Sequence, residues 1–286
     1  MPHDVTSHGA SHTGTSAGSR ARSGLSALER LRDALPRPAR LARLAPHARH
    51  ARRMLRDWWL RRGAHGDHIA FYRGVMRSDV ARDPNAAVGT PTQERWEAVG
   101  ELQFSYLRSH GLQPAHRLLE IGCGNLRAGW RFIDYLAPGH YHGLDISPDI
   151  LLAAQRVLAS RGLQEKLPHL TLVDDMRLDH LPDGHFDMAH AHSVFSHSPP
   201  QVIEECLSHI PRVLKPGGFF DFTYNRTDGE EHHVLHEDFY YRPATLIALA
   251  QAQGLLAATM DDWDELPHRQ SKIRATLPRA YVRDGE

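Results

Sequence analysis

Two carboxylates and two glycines near the middle of the chain have the types and spacing to bind a charged nucleoside. Glu120 lies two residues before Gly122, Gly124 follows two residues later, and Asp145 comes further along the chain. Glycines allow a backbone to approach a ligand closely and to adopt positive φ angles. The carboxylate of Glu120 would repel a pyrophosphate but suits a ligand that carries an ammonium and a sulfonium. If Asp145 ends a strand, its carboxylate can bind both hydroxyls of a ribose.

The same glycines do not form a dinucleotide site. Such a site needs G-x-G-x-x-G, in which the third glycine lets a helix pack closely on a strand. Arg127 stands at that third position. An oxidoreductase that uses a nicotinamide cofactor is therefore disfavoured, and it remains the competing class of enzyme.

The residues around the glycines predict a strand, a tight turn, a helix and a second strand. An apolar run of Leu118, Leu119 and Ile121 stops at Gly122, an apolar-periodic segment continues to Leu136, and residues 141–146 are predicted as a second strand that ends on Asp145. This is the first βαβ unit of a parallel sheet. Ligands of such sheets bind beyond the carboxyl ends of the strands, so Glu120 and Asp145 are expected to meet at one edge.

The rest of the chain continues to alternate between strand and helix patterns. Further strands of the parallel sheet are predicted at residues 169–173, 186–191 and 219–223, the last after a turn at 215–218. Helices are predicted at residues 148–160, 198–214 and 243–254. Residues 255–261 and 271–282 are expected to complete the sheet as an antiparallel pair.

Five motifs in this order resemble the class I S-adenosylmethionine-dependent methyltransferases. They are E-x-G-x-G from Glu120, the acid Asp145, Asp174-Asp175-Met176, Phe186-Asp187 and Leu214-Lys215-Pro216-Gly217-Gly218. Residues 96–129, the run S-V-F-S-H at 193–197 and a late aromatic cluster resemble a bacterial subgroup that methylates small-molecule and glycan-type acceptors. The resemblance covers about residues 92–283.

The resemblance implies a fold, a cofactor and a set of binding residues. The fold is Rossmann-like α/β, a mostly parallel seven-stranded sheet with helices on both faces, and the cofactor is S-adenosyl-L-methionine. The residues expected to contact it are Glu120, Gly122, Cys123, Gly124, Asn125, Arg127, Asp145, Ile146, Asp175, Met176 and His192. Leu126 departs from the family pattern, which usually has a glycine there, and Arg127 is a candidate for holding the methionyl carboxylate.

The segment after the fourth strand is expected to lie where the methyl group is transferred. Displacement at a methyl carbon requires mainly alignment of the reacting atoms, and a hydroxyl acceptor must also lose its proton. Imidazole is suited to take it, so His197 and His192 are the candidate bases. With 22 histidines in the chain, a structural role for either is the alternative. O-methylation is the preferred reaction, and N- or C-methylation and a non-catalytic S-adenosylmethionine-binding module are the alternatives.

The segment from residue 224 to 245 is expected to build the acceptor site together with residues 67–110. Its candidate substrate-binding residues are Tyr224, Arg226, His236 and Tyr240. His232 and His236 would share a helix face, but H-H-V-L-H is not H-E-x-x-H, so no metal site is predicted. Earlier aromatic residues are either pocket walls or ordinary core: Phe71, Tyr72, Trp96, Phe104 and Tyr106.

Charge divides the chain into a basic arm and an acidic domain. Residues 20–62 hold 13 arginines against three acids, whereas residues 63–286 hold 21 basic and 30 acidic groups. The predicted organisation is a disordered tail at 1–24, an Arg-rich helical arm at 25–66 with helices before Pro36 and at about 46–62, and a methyltransferase domain at 67–286, whose cofactor-binding core spans about 115–225.

The arm is interpreted first as a solvated helical segment that docks on the domain. The alternative is attachment to a membrane surface, with arginines on lipid headgroups and Trp58 and Trp59 in the interface. Nucleic-acid binding is not expected, because the arm lacks interleaved aromatics and a recognisable fold. Two cysteines, no long apolar run and no apolar signal-peptide core favour a cytoplasmic protein.

Overall fold

The computed structural model describes residues 38–263 and 269–280, with side chains from residue 51 onward. The chain divides into two compact units, Met1–Arg52 and Arg53–Glu286. The predicted tail at 1–24 and the first predicted arm helix lie outside the described residues. In the described part of the chain, every helix is too short or too polar to cross a bilayer.

From residue 38 onward, four helices precede the sheet: α1 (Pro38–Ala64), α2 (His68–Val80), α3 (Pro84–Ala87) and α4 (Gln93–Ser109). The Asp67 carboxylate caps α2 by accepting from the backbone N–H groups of Ile69 and Ala70, and the Thr92 hydroxyl caps α4. Helix α1 begins eight residues earlier than the predicted arm helix. In the short helix α3, Pro84 at the first helical turn follows an Asp83 cap.

The sheet contains the predicted seven strands. They are β1 (Leu118–Ile121), β2 (Tyr141–Asp145), β3 (His169–Leu172), β4 (Phe186–Ala191), β5 (Leu214–Arg226), β8 (Leu256–Thr259) and β9 (Gln270–Thr276). Strands β3, β2, β1, β4 and β5 lie side by side in parallel, and β9 continues from β5 in the antiparallel direction with β8 beyond it. The mostly parallel α/β fold is therefore confirmed.

Two short strands extend the sheet beyond this prediction. β6 (His232–Val234) and β7 (Asp238–Tyr241) form an antiparallel hairpin, and β7 pairs in parallel with the last two residues of β5. The prediction that His232 and His236 share a helix face is wrong, because β6 contains the first and the hairpin turn contains the second. Leu235 and His236 both have positive φ there. We call residues 232–241 the β6–β7 hairpin.

Helices α5 (Gly129–Tyr135), α6 (Pro148–Arg161), α7 (Pro200–Val213) and α8 (Pro243–Ala252) cover the sheet. Successive strand residues enter different cores: Leu118 packs with Phe132 and Leu158, whereas Leu119 packs with Ile203 and Leu207. Such alternation places helices on both faces. The predicted turn at 215–218 lies within β5, where Gly217 has φ +83° and donates to the Leu277 carbonyl.

Candidate functional site

A cavity of about 380 Å³ lies beyond the carboxyl ends of β1, β2 and β4. One side, the glycine-turn side, is lined by Glu120, Gly122, Cys123, Gly124, Arg127, Asp145, Ile146 and Met176. The other side, the hairpin side, is lined by His68, Tyr72, His192, His197, Asn225, Asp238, Tyr240 and Gln270. Its position is the one expected for the ligand of a parallel α/β sheet.

The glycine turn folds back onto the end of β2. The backbone N–H groups of Gly122 and Cys123 donate to the Leu144 carbonyl at 2.8 and 2.9 Å. Gly122 has φ +70°, and a Cβ there would lie 2.4 Å from Cγ2 of Val194. A side chain at Gly122 would therefore be strained and would collide with the wall of the cavity.

Leu126 adopts the backbone conformation that usually needs glycine. Its φ is +62° and its side chain is completely buried. A left-handed conformation costs a non-glycine residue roughly 1–2 kcal/mol, and burial of a leucine side chain can offset that cost. The departure from the family pattern thus preserves the turn and adds a core side chain.

Glu120 is held at the base of the cavity in a low-dielectric environment. It is 4% exposed, and the Tyr141 hydroxyl donates to its Oε2 at 2.5 Å. Burial raises the pKa of Glu120 to about 7, against the opposing influence of the Tyr141 hydrogen bond and the Arg127 charge. A cationic ligand group would favour its ionised form.

Arg127 lies at the same side of the cavity with part of its guanidinium unused. One terminal nitrogen donates to the Val88 carbonyl, whereas the buried Nε has no hydrogen-bond partner among the described residues. Burial lowers its pKa to about 10. An unsatisfied buried donor is costly, so an anionic group such as a ligand carboxylate fits this position.

Asp145 is fixed at the end of β2 by two backbone donors. The N–H of Gly124 donates to Oδ2 and that of Ser147 to Oδ1, each at 2.9 Å. Burial raises its pKa to about 6. A carboxylate oxygen has further lone pairs, so this fixed carboxylate can still accept from ribose hydroxyls.

Two predicted cofactor residues do not line the cavity. The Asn125 side chain accepts from Trp96 Nε1 at 2.9 Å and donates to Asn85 at 2.7 Å, so it anchors the preceding helices. The Asp175 carboxylate pairs with Arg177 at 2.6 Å, and this hydrogen bond lowers its pKa. The neighbouring Met176 lines the cavity, although its N–H donates to Glu205.

His197 is the best-positioned proton acceptor on the hairpin side. Its Nδ1 lies 2.6 Å from the Glu237 carbonyl oxygen and 3.3 Å from Oδ1 of Asp238. Since a carbonyl can only accept, Nδ1 carries the proton in the neutral ring and Nε2 does not. The Tyr72 ring stacks on the imidazole at 5.5 Å, and His68 donates to the His197 carbonyl.

His192 also lines the cavity, between two other rings. Its ring centroid lies 5.8 Å from that of Trp263 and 6.3 Å from that of His190. His190 is buried behind it with Nε2 3.2 Å from Gln103, and burial lowers the pKa of His190 well below its ordinary value.

Of the four predicted substrate-binding residues, only Tyr240 lines the cavity. Tyr224 is buried in the core, Arg226 pairs with Asp228 at the surface, and His236 packs against His233 at 4.0 Å in the hairpin turn. Asn225 lines the cavity instead. Alternation along β5 would have identified Asn225 once Tyr224 was assigned to the core.

Among the five earlier aromatic residues, Tyr72 lines the cavity and the others are packed in the core or against it. His68, Gln103, Asp238 and Gln270 also line the cavity, although no pattern in the sequence indicates this role for them. They come from four different elements, so only the fold brings them together. Within the described residues, no cluster of three or more His, Cys, Asp or Glu side chains is arranged to hold a metal.

Residues 119–220 match the family model described as a methyltransferase domain. A sterol 24-C-methyltransferase of Gibberella zeae is 34% identical over 110 residues, which are 38% of this chain and 28% of that protein. An uncharacterized methyltransferase of Synechocystis is 32% identical over 129 residues, 42% of this chain and 53% of that protein. The chain thus spans about a quarter to a half of the length of these curated relatives.

A solved structure, magnesium protoporphyrin IX methyltransferase from Synechocystis with bound S-adenosylmethionine, has the same fold. Its TM-score is 0.51 at 15% identity, over 64% of this chain and 83% of that chain. The solved structure confirms the predicted fold, and the family match assigns residues 119–220 to the methyltransferase domain type. The residues on the glycine-turn side fit S-adenosylmethionine, with an acid for its ammonium, an unsatisfied guanidinium nitrogen for its carboxylate and an acid for its ribose.

Proposed function

We propose that this chain, in which residues 119–220 are a class I S-adenosylmethionine-dependent methyltransferase domain, transfers a methyl group to oxygen of a small-molecule or glycan-type acceptor. The observation that supports this proposal most directly is the hydrogen bond from Nδ1 of His197 to the Glu237 carbonyl. It leaves Nε2 as the basic nitrogen of a ring that lines the cavity.

The glycine-turn side holds the methyl donor. Glu120 binds the ammonium, Arg127 the carboxylate and Asp145 the ribose hydroxyls, while the backbone at Gly122 and Gly124 permits close approach. S-adenosylmethionine supplies an electrophilic methyl group bound to a sulfonium sulfur. When the methyl group is transferred, the sulfur is released as a neutral thioether. The protein's contribution is mainly to fix the donor so that the methyl carbon faces the hairpin side.

The hairpin side holds the acceptor and removes its proton. The acceptor oxygen forms a bond to the methyl carbon as the carbon–sulfur bond breaks, and Nε2 of His197 takes the hydroxyl proton. Asn225 and Tyr240 supply polar groups that can orient the acceptor. Asp238, near Nδ1, stabilises the imidazolium that forms.

The alternatives differ in how the hairpin side is used. C-methylation is the reaction named for the sterol methyltransferase relative, and N-methylation needs no strong base if the amine is neutral. A module that binds S-adenosylmethionine without turnover would use the glycine-turn side alone. The bacterial subgroup and a cytoplasmic location are part of the same proposal and rest on the sequence.

Calorimetry with S-adenosylmethionine and S-adenosylhomocysteine tests the cofactor assignment. Asp145→Ala should weaken binding at least tenfold, about 1.4 kcal/mol, because it removes the ribose acceptor. Asp175→Ala is the matched control, since the structure places that carboxylate on Arg177, and it should bind like the unmodified protein. Equal binding by all three proteins would contradict the site.

Transfer from methyl-labelled S-adenosylmethionine to a panel of hydroxylated, amine-bearing and alkene-bearing acceptors tests the reaction. Label on oxygen supports the proposal, and label on nitrogen or carbon replaces it with the corresponding alternative. Cofactor binding without any transfer favours the non-catalytic module.

A further inference from the structure

The part of α1 that belongs to the larger unit, residues 53–64, has two distinct faces. One face carries Arg53, Arg56, Asp57 and Leu60, which recur at helical spacing and contact the domain. The opposite face carries Met54, Leu55, Trp58 and Trp59, which recur at the same spacing and point to solvent. The helix is therefore amphipathic in an unusual sense, since its charged face is the docked one.

The docked face is fixed by ion pairs and close packing. Arg53 contacts Glu237 at 2.6 Å, and Arg56 bonds to Glu237 and, at 3.0 Å, to Asp79. A Cβ on Gly74 would lie 2.6 Å from Leu60 Cδ2, so Leu60 lies directly on the backbone of α2. These contacts set which residues face outward.

The outward face is large and apolar. Met54 is 51% exposed, Leu55 62%, Trp58 50% and Trp59 63%. The two indole rings pack edge to face at 5.0 Å, and the guanidinium of Arg62 lies 5.0 Å from the Trp58 ring centroid. Contiguous exposed patches of this kind mark interaction surfaces.

We propose that this face, Met54, Leu55, Trp58, Trp59 and Arg62, binds the surface of an anionic membrane. Tryptophan prefers the boundary between headgroups and acyl chains, and arginine keeps its charge among the headgroups while its stem covers apolar surface. Nine more arginines precede residue 53 in the arm sequence, from Arg20 to Arg52. Basic groups are attracted to the negative surface potential of an anionic leaflet.

Two other occupants fit the face less well. A second copy of the same face would bring its arginines against each other without any acid on the outward side. Single-stranded nucleic acid needs open ring faces for stacking, but Arg62 lies over Trp58, and Met54 and Leu55 offer no stacking surface. An anionic lipid surface uses both the apolar side chains and the surrounding positive charge.

Sedimentation of the full chain with vesicles tests the proposal. The probes are phosphatidylcholine vesicles with and without phosphatidylglycerol. The unmodified protein should sediment with the anionic vesicles, and the double variant Trp58→Ser, Trp59→Ser should bind them at least tenfold more weakly. Leu152→Ser is the matched control, because Leu152 is equally exposed, at 60%, on α6, and its removal should change nothing.

S-adenosylmethionine binding measured on each variant shows that the domain is folded, and it is expected to be unchanged by the serine substitutions. No vesicle binding by a protein that binds the cofactor would overturn the proposal. Vesicle binding that is equally strong in the double variant and the unmodified protein would also overturn it. The same holds if the unmodified protein is a dimer and the double variant is not, or if the protein binds an oligonucleotide with an affinity that falls when the two tryptophans are replaced. These outcomes are separate from the proposed reaction, which the acceptor assay measures.

Discussion

The imidazole of His197 is fixed by the backbone of Glu237, whose carbonyl oxygen lies 2.6 Å from Nδ1. The side chain of the same glutamate is held by Arg53 and Arg56 of α1. The protonation pattern of a cavity histidine is thus set by the β6–β7 hairpin, and Arg53 and Arg56 of α1 in turn hold that hairpin in place.

Replacement of His197 by glutamine should remove the base and leave cofactor binding intact. General-base catalysis contributes about 10²- to 10⁴-fold, so turnover of a hydroxyl acceptor should fall by a factor in that range while calorimetry shows an unchanged affinity for S-adenosylmethionine. His236→Gln, in the hairpin turn outside the cavity, is the control. Unaltered turnover in His197→Gln would mean that the acceptor loses its proton elsewhere.

Affinity for S-adenosylmethionine should rise with pH through neutrality because of Glu120. Without ligand its pKa is raised to about 7, and the ligand ammonium needs the carboxylate, so binding releases a proton below that pH. The dissociation constant should increase up to tenfold for each pH unit below about 7. Calorimetry in buffers of different ionisation enthalpy measures the released proton.

The matched variant Glu120→Gln should bind more weakly and lose most of this dependence near neutrality, where Asp145, with a pKa of about 6, is already ionised. Proton release that persists in Glu120→Gln would assign it to another group.

Leu126 should tolerate glycine better than alanine. Both substitutions remove the buried side chain, which costs about 2–5 kcal/mol for leucine to alanine. Only glycine relieves the positive φ, so Leu126→Gly should be more stable than Leu126→Ala by about 1 kcal/mol. Urea denaturation of both variants gives the order. If Leu126→Ala is the more stable variant, the backbone conformation at φ +62° does not penalise a side chain at this position.

Lys272 should be replaceable by methionine without loss of stability. It is 1% exposed, its Nζ has no hydrogen-bond partner among the described residues, and it lies 4.0 and 3.9 Å from the ring centroids of Tyr106 and Trp263. Asp221 would keep its two 2.7 Å bonds from Arg274. Lys272 lies 4.0 Å from Asp221, and Arg274 would keep that carboxylate paired after the substitution. Replacement of buried ion pairs by apolar side chains is often neutral or stabilising by about 1–4 kcal/mol.

The pH dependence of unfolding gives a second measurement at Lys272. Burial lowers its pKa from 10.5 to about 8, so between these values the unfolded chain binds more protons than the folded one. The contribution of Lys272 to stability therefore rises with pH across that window, and Lys272→Met should lose this rise. A variant clearly less stable than the unmodified protein at neutral pH would mean that the contacts with the two rings outweigh desolvation.

The glycine-turn side could be predicted from sequence because its residues lie in one continuous motif. Glu120, Gly122, Gly124 and Arg127 are positioned by a single strand and turn, and Asp145 ends the adjacent strand, so local patterns are sufficient. The predicted sheet was correct for the same reason. The position of Asp175 in its motif predicts a contact with the cofactor. The motif contains no information about Arg177, which is the partner of that carboxylate in the structure.

The hairpin side was predicted poorly because it depends on long-range packing. Tyr224 and Arg226 have side chains suited to binding a substrate, but the pairing of β5 turns Asn225 to the cavity. His68 and Gln270 reach the cavity from opposite ends of the sequence. The four-residue spacing of His232 and His236 is typical of a helix face. The sequence pattern does not reveal the turn between them, in which Leu235 and His236 have positive φ angles.

Strand β5 pairs with the central strands along most of its length and with the β6–β7 hairpin at its end, and the two pairings differ in how freely they can change in evolution. Leu214 and residues 219–225 pair with β4 or β9, whereas, among the described residues, the β6–β7 hairpin joins β5 at the register pairs Asn225–Tyr240 and Arg226–Tyr241. An insertion joined at one strand end can be lengthened or exchanged without shifting the register of the strands that hold Glu120 and Asp145. Natural selection can therefore change the hairpin in this chain while the residues at the carboxyl ends of β1 and β2 stay constant.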